Sequence, residues 1–203
     1  MSAPRVPLAI WLLPDDPTRD RLQPILDRLA SRWNAPRFAA HVTVHVGDCA
    51  AHLDAGAIVE ASLVDTPAIA LRAAPCEVSA EYFRTLYLPL EGGGIVALRA
   101  SLLDALSGAD PAGPGVTAAR AGYRLEPHLS LLYARLDEAA RARLLAHERD
   151  RCRLLAAPTR VIPDAHADLL CFDRVALVKP ARGASDLSQV RNWQVSEALP
   201  LRA

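Results

Sequence analysis

The stretch His41-Val42-Thr43-Val44 is matched in the second half of the chain by His128-Leu129-Ser130-Leu131. Each stretch contains a histidine, an aliphatic residue, a hydroxyl residue and another aliphatic residue, an alternation typical of a β-strand. Side chains on a strand point alternately to opposite faces, so each histidine shares a face with the hydroxyl residue two positions later. The pattern therefore predicts two strands, each presenting an imidazole and a hydroxyl group about 7 Å apart.

Two such strands placed side by side would surround one phosphate group with two imidazoles and two hydroxyls. Histidine titrates near neutrality, so one imidazole can take a proton from an attacking water while the other protonates a leaving oxygen. The hydroxyls can donate hydrogen bonds to the non-bridging phosphate oxygens. A single histidine on a strand is more often structural, but two matching copies among six histidines indicate function. We therefore predict His41 and His128 as catalytic residues and Thr43 and Ser130 as phosphate-binding residues, with no metal and no other cofactor.

The regions around these motifs alternate between strand-like and helix-like patterns, with several strands in succession, which is typical of an α+β fold. Turn and capping residues at 14–18 precede an apolar stripe at helical spacing from Arg19 to Trp33. The patterns predict strands at 8–13, 41–46, 68–72, 82–90, 128–133 and 172–179, further helices at 94–106 and 137–148, and a last apolar segment at 193–199. Glycine, proline and small residues predict a mobile surface loop at 107–120.

The charge and cysteine content limit the classes of function. Lys and Arg total 23, as do Asp and Glu, so the formal net charge is zero. This balance gives no broad attraction to long nucleic acids, so we expect a small anionic ligand in a local pocket. The four cysteines are widely spaced, without a zinc-binding or redox motif. The sequence has neither an apolar run of transmembrane length nor a signal-peptide pattern, so we expect a cytoplasmic monomer without a membrane partner.

In its two motifs the sequence resembles the 2H phosphoesterase superfamily, and within it the plant and fungal cyclic phosphodiesterases. The likeness continues, in matching order, through segments at 10–16, 36–44, 127–133 and 174–179. It implies one domain over residues 1–203 with two pseudo-symmetric lobes, in which two antiparallel sheets with flanking helices face each other across a central groove. It also implies hydrolysis of ADP-ribose 1″,2″-cyclic phosphate or of nucleoside 2′,3′-cyclic phosphates to ring-opened monophosphates.

Further residues are candidates near the site. By position, Trp11 and Tyr133 match aromatic residues that this subgroup places around its substrate, with ordinary core packing as the alternative for both rings. Arg84 lies between large residues and could hold a second phosphate of a pyrophosphate, although a solvated strand face is the simpler interpretation. His45 continues the alternation after Thr43, so we expect it on the same face, at the groove edge or in a structural role.

Three alternatives stay open at this point. A related enzyme could act on RNA ends, opening terminal 2′,3′-cyclic phosphates or handling 2′-5′ linkages, although zero net charge disfavours it. A non-catalytic nucleotide-binding module would have little need for paired proton-transfer groups. Metal-dependent hydrolysis would need carboxylate-rich or clustered histidine motifs, which the sequence lacks.

Overall fold

The computed structural model describes residues 4–110, 125–156, 169–179 and 193–202. These residues form four α-helices: α1 (Asp16–Arg32), α2 (Ala55–Leu63), α3 (Gly94–Ala109) and α4 (Glu138–Ala156). They also form eight β-strands: β1 (Arg5–Pro14), β2 (Val42–Ala50), β3 (Ile69–Ala73), β4 (Glu77–Val78), β5 (Leu86–Glu91), β6 (His128–Leu132), β7 (Leu169–Lys179) and β8 (Gln194–Pro200). Within these ranges, every helix is too short or too polar to cross a membrane.

Helix α1 begins where the sequence predicts it. The Asp15 carboxylate accepts a hydrogen bond from the Thr18 backbone N–H at 2.9 Å, which caps the first turn. The side chains of Leu22, Leu26 and Leu29 are buried on one face of the helix. This face packs on the sheet, where α1 contacts β1, β6 and β7. The helix therefore supports the strand that carries the second motif from the core side.

The strands β1, β2, β6, β5, β3 and β7 follow one another as hydrogen-bonded antiparallel neighbours, and β7 pairs with β1 to close the ring. Strand β8 is added beside β7, and β4 beside β5. Two joints are short: β2 pairs with β6 only at Val42 and Leu129, and β3 pairs with β5 at two residue pairs. The strands therefore form one antiparallel sheet that closes into a ring and is narrowest at these two joints, and the predicted α+β fold is confirmed.

The aliphatic faces of both motif strands lie in the main core. The side chains of Val42, Val44, Leu129 and Leu131 are fully buried in one hydrophobic cluster. Helix α1 contacts β6 and helix α3 contacts β2 on this side. Because neighbouring residues on a strand point to opposite faces, this packing turns the polar positions of both motifs away from the core.

Several predicted elements have different ends in the structure, and two elements were not predicted. The strand predicted at 82–90 begins instead with a 3-10 helix at Tyr82–Arg84, so β5 starts only at Leu86. The Thr85 hydroxyl lies 3.0 Å from the Tyr82 carbonyl and 2.8 Å from the Ala134 carbonyl, which holds this turn against the end of β6. Helix α2 and strand β4 are additional; Asp54 caps α2 by accepting from the Ala57 N–H at 3.1 Å.

The predicted loop at 107–120 was placed too early. Helix α3 continues to Ala109, so residues 107–109 are helical. Residues 111–120 of that loop lie outside the described residues. Helix α4 likewise extends to Ala156, beyond its predicted end at residue 148.

Candidate active site

A cavity of about 430 Å³ lies where β2 and β6 meet. Its lining contains all four motif residues with polar side chains: His41, Thr43, His128 and Ser130. The remaining lining residues are Val46, Glu81, Phe83, Arg84, Glu126, Tyr133 and Trp193. The structure therefore brings the two motifs, from opposite halves of the chain, into one site of a size suited to a small ligand.

A second cavity, of about 580 Å³, lies among β1, β2, α2, β7 and β8 and is larger than the first. Its charged lining side chains are Asp54, Lys179 and Glu197, and it contains none of the predicted site residues. Size alone does not identify a catalytic centre, because general acid and base catalysis needs groups that titrate near neutrality. The smaller cavity, with its two imidazoles, is the candidate active site.

Both histidine rings are held by a hydrogen bond to a backbone carbonyl. The Nδ1 of His41 lies 2.7 Å from the Ala39 carbonyl oxygen, and the Nδ1 of His128 lies 2.8 Å from the Glu126 carbonyl oxygen. A carbonyl oxygen can only accept, so each Nδ1 carries the hydrogen and donates it. In the neutral ring, each Nε2 then keeps a lone pair that can accept a proton. The backbone two residues before each histidine therefore sets its tautomer.

His41 is enclosed by aromatic rings. The indole of Trp11 stacks on its imidazole with ring centroids 3.7 Å apart and an angle of 12° between the planes. The Tyr133 hydroxyl lies 3.4 Å from the His41 Nε2, a long hydrogen bond in which the phenol is the donor. Burial lowers the pKa of His41 to about 4, against the raising effect of the Ala39 carbonyl, and the charge of His128 lowers it slightly further.

His128 is less enclosed and lies beside a cation. Burial lowers its pKa; the Glu126 carbonyl opposes that change, and the positive charge of Arg84 adds to it. The ring of Tyr87 approaches the imidazole edge-on, with centroids 5.7 Å apart. Both histidines are therefore held in an environment that favours the neutral ring in the absence of ligand.

The two hydroxyl residues of the motifs have different surroundings. Thr43 is partly exposed and lines the cavity. The Ser130 hydroxyl donates to the Phe83 carbonyl oxygen at 2.7 Å. Burial raises the pKa of the nearby Tyr133 phenol. Thr43 is thus the freer donor for a bound anion, and Ser130 would have to turn from Phe83 to donate.

Arg84 lines the cavity from the 3-10 helix, not from a solvated strand face. Its guanidinium donates to the Glu126 carboxylate at 2.6 Å and lies over the Tyr87 ring, 4.2 Å from the centroid. Burial alone would lower the pKa of Arg84, but the bond to Glu126 and the neighbouring Tyr87 outweigh burial and raise it. The group therefore presents a fixed positive charge beside His128.

Sequence reasoning missed two aromatic residues of the cavity wall, Phe83 and Trp193. Their rings lie 5.7 Å apart with an angle of 35° between the planes. Trp193 immediately precedes β8, and Phe83 belongs to the 3-10 helix. Their large rings were visible in the sequence, but no local pattern indicates that these two segments meet. The predicted aromatic residue Tyr133 does line the cavity, whereas Trp11 stacks on His41 and is not among the lining residues.

His45 does not continue the face of Thr43, contrary to prediction. In the ladder with β1, Ile10 pairs with His45 but the next residue, Trp11, pairs with Thr43. One extra residue in β2 forms a β-bulge, which reverses the alternation beyond it. His45 is consequently buried, with burial lowering its pKa to about 4, and Val46 takes the position at the cavity.

Within the described ranges, no three or more His, Cys, Asp or Glu side chains are grouped so that they could hold a metal ion. Arg84 is the cation that lines the candidate site, and its neighbours Glu81 and Glu126 add two carboxylates. The arrangement can exchange protons through two Nε2 atoms and can contact a phosphate through the Thr43 hydroxyl and the Arg84 guanidinium.

Residues 6–199 match the family described as cyclic phosphodiesterase-like protein. No curated protein matches the chain in sequence. Among solved structures, E. coli LigT complexed with 3′-AMP is 12% identical with a TM-score of 0.56, over 98% of this chain and 100% of that chain.

Two further solved structures show the same likeness of fold. The protein TT0787 of Thermus thermophilus is 14% identical with a TM-score of 0.56, over 97% of this chain and 98% of that chain. E. coli LigT complexed with phosphate is 14% identical with a TM-score of 0.52, over 98% of this chain and 99% of that chain. Because these structures are only 12–14% identical to the chain, they show its fold alone. The match over residues 6–199 shows its family.

Proposed function

Because the chain belongs to the cyclic phosphodiesterase-like protein family, we propose that it hydrolyses a small cyclic phosphodiester with His41 and His128 as acid and base. One observation carries the proposal: two imidazoles, each with its Nδ1–H bound to a backbone carbonyl, line one cavity with their Nε2 atoms available for proton transfer. The reaction needs a proton acceptor and a proton donor but no redox chemistry, so two histidines and hydrogen-bond donors suffice without a metal.

In the proposed reaction, one histidine takes a proton from water and the other gives a proton to the leaving oxygen. The base removes a proton from water through its Nε2 as the water oxygen attacks phosphorus. The bond from phosphorus to one ring oxygen breaks, and the acid delivers its Nε2 proton to that oxygen. The product is a ring-opened phosphate monoester, and the two histidines have exchanged protonation states. Thr43 and, after turning from Phe83, Ser130 hold the non-bridging oxygens.

The surroundings of the histidines favour His41 as the acid and His128 as the base. The Arg84 guanidinium near His128 disfavours an imidazolium there, so His128 keeps the lone pair of a base and the proton of the acid is assigned to His41. Burial opposes a proton on His41 in the free protein. The negative charge of the bound phosphate offsets that effect in the complex, so the acid is charged when substrate is present.

The proposed substrate is a nucleotide. A base or ribose would pack against Phe83 and Trp193, whose rings form one wall of the cavity. ADP-ribose 1″,2″-cyclic phosphate, as in the plant and fungal cyclic phosphodiesterases, carries a pyrophosphate that would reach Arg84. Nucleoside 2′,3′-cyclic phosphates lack that second anionic group, so Arg84 distinguishes the two substrate classes. We favour the pyrophosphate-bearing substrate for this reason.

The test is turnover of both substrate classes in EDTA, with an RNA ending in a 2′,3′-cyclic phosphate as a third substrate. We expect His41→Ala and His128→Ala each to lower kcat by about 100-fold or more, the contribution of general acid or base catalysis. His52→Ala is the matched control, because His52 is exposed and outside the cavity. Full activity in either cavity variant, or chelator-sensitive turnover, would contradict the two-histidine reaction. Preference for the RNA would contradict the proposed substrate.

A further inference from the structure

The indole of Trp11 lies flat against the imidazole of His41, which lines the cavity. Its indole is buried, it is absent from the cavity lining, and its ring plane is within 12° of the imidazole plane. It packs in a small cluster separate from the main core, with Ala176 and Val178 of β7 and with the cavity-wall ring of Trp193, whose centroid lies 5.9 Å away. A ligand in the cavity would therefore meet His41 and not Trp11.

Hydrogen bonding does not explain why an indole occupies this position. The Trp11 Nε1–H is buried, and in the part of the chain that the structure describes it has no acceptor. An unsatisfied buried donor is unfavourable, so a benzene ring or an aliphatic side chain would avoid that cost. The feature that an indole adds here is its electron-rich face, the strongest cation–π partner among the aromatic side chains.

We propose that Trp11 is a positioning residue for His41, which holds the imidazole plane and stabilises its protonated form through the indole face. This role rests on the proposed function only insofar as the proton on His41 is used in catalysis. It differs from a substrate-contacting role, because it acts through His41 and through no atom of the ligand.

Of the other groups that face His41, the Ala39 carbonyl favours the charged ring, through its hydrogen bond with Nδ1. From the segment before β2 come the Ala39 carbonyl, which binds Nδ1, and the Phe38 ring, which lies edge-on at 6.0 Å. From β6 and its end come His128, whose charge lowers the pKa of His41, and the Tyr133 phenol, whose own pKa is raised so that it stays neutral. None of these is an anion at neutral pH. The ring face of Trp11, from β1, thus adds to the Ala39 carbonyl in favouring a charge on the imidazole, and it does so across the face of the ring.

The expected size of the effect follows from the strength of cation–π contacts. Such contacts range from weak at exposed sites to several-fold stronger when both groups are desolvated, which corresponds to a pKa change of about 0.5 to 1.5 units. We expect Trp11→Leu to lower the pKa of His41 by this amount and Trp11→Phe to lower it by less, since a benzene face remains.

The experiment follows the His41 imidazole directly by NMR titration of histidine-labelled protein, with sulfate bound, in the native chain and both variants. The pH profile of kcat is measured in parallel. Because the acid must be protonated, a lower pKa moves the basic limb of that profile to lower pH, while KM for the cyclic phosphate stays nearly unchanged. Phe83→Leu is the contrasting variant; it removes a ring of the cavity wall and should raise KM without moving the His41 titration.

The outcomes separate the possible roles of Trp11. A His41 titration unmoved in Trp11→Leu would overturn the proposal, whether or not kcat falls. A raised KM with an unmoved pH profile would show a substrate-contacting residue instead. If Trp11→Leu does not fold, Trp11→Phe still tests the proposal through its intermediate shift. If the protein turns over no cyclic phosphate, the NMR titration decides the proposal independently of the proposed function.

Discussion

Binding of an anion in the cavity is expected to draw a proton onto His41. Burial lowers the pKa of this imidazole to about 4, so in the free protein at pH 7 only about one molecule in a thousand carries the charge. Protonating the ring at pH 7 therefore costs about 3 pKa units, or about 4 kcal/mol. If His41 acts as a general acid, its interaction with the bound ligand must offset this cost of protonation.

The ligand can supply an energy of that size. An anionic oxygen about 4 Å from the imidazolium, at an effective dielectric constant of about 20, contributes about 4 kcal/mol. The two energies are nearly equal, so the pKa of His41 in the complex should lie close to 7. Binding at pH 7 should then take up about half a proton, and the affinity should increase as the pH falls from 7 towards 4.

Isothermal titration calorimetry with sulfate, which does not titrate in this range, measures the uptake. The binding enthalpy is compared in two buffers of different ionisation enthalpy, and their difference gives the number of protons. We expect the uptake to be smaller in His41→Ala than in the native protein and unchanged in the exposed control His52→Ala. Enthalpies that do not depend on the buffer, or uptake that is undiminished in His41→Ala, would refute this reasoning.

Three other predictions follow from the described contacts. Arg84→Met should raise KM for ADP-ribose 1″,2″-cyclic phosphate by about 10-fold or more, because a charge-assisted hydrogen bond is lost. The KM for nucleoside 2′,3′-cyclic phosphates should rise less. Equal changes of KM for both substrates in steady-state kinetics would count against a second-phosphate contact. The native protein should lose stability as the pH falls from 6.5 to 4, because the buried neutral rings of His41 and His45 bind fewer protons than the unfolded chain, by up to about 3 kcal/mol each. Urea unfolding at pH 7 and pH 4.5 should therefore show a smaller acid-induced loss in His45→Leu, and an unchanged loss would contradict the assignment. Asp15→Ala should lower the free energy of unfolding by about 1 kcal/mol through loss of the α1 cap, whereas Asp15→Asn should retain most of it; identical denaturation midpoints for native protein and Asp15→Ala would show that this cap is not stabilising.

The four motif residues of the site could be predicted because each motif is a short sequence pattern within a single strand. The alternation of His41 and Thr43 with aliphatic residues needs only the two-residue period of a strand. The same holds for His128 and Ser130, and the structure places all four at one cavity. The sequence could not show that the two strands are neighbours, since that depends on the single backbone pairing between β2 and β6.

The errors arise where distant parts of the chain decide the local geometry. The side of β2 on which His45 lies depends on the bulge opposite Ile10 and Trp11, which no pattern within β2 reveals. Phe83 reaches the cavity because Thr85 turns the chain into a 3-10 helix, through contacts with residues far along the sequence. These positions depend on tertiary contacts, so a reading of periodicity alone assigns them incorrectly or omits them.

The identical attachment of the two imidazoles means that neither ring is committed to one task by its own orientation. Each one holds its Nδ1 proton on a backbone carbonyl and exchanges protons through Nε2. After ring opening, the protonation states are those required for the reverse step, in which a hydroxyl attacks the monoester and closes the ring. The same two histidines can therefore catalyse both ring opening and ring closure, and the high concentration of water favours ring opening. The division of labour resides in the neighbours Trp11 and Arg84, so evolution could exchange acid and base without moving either histidine.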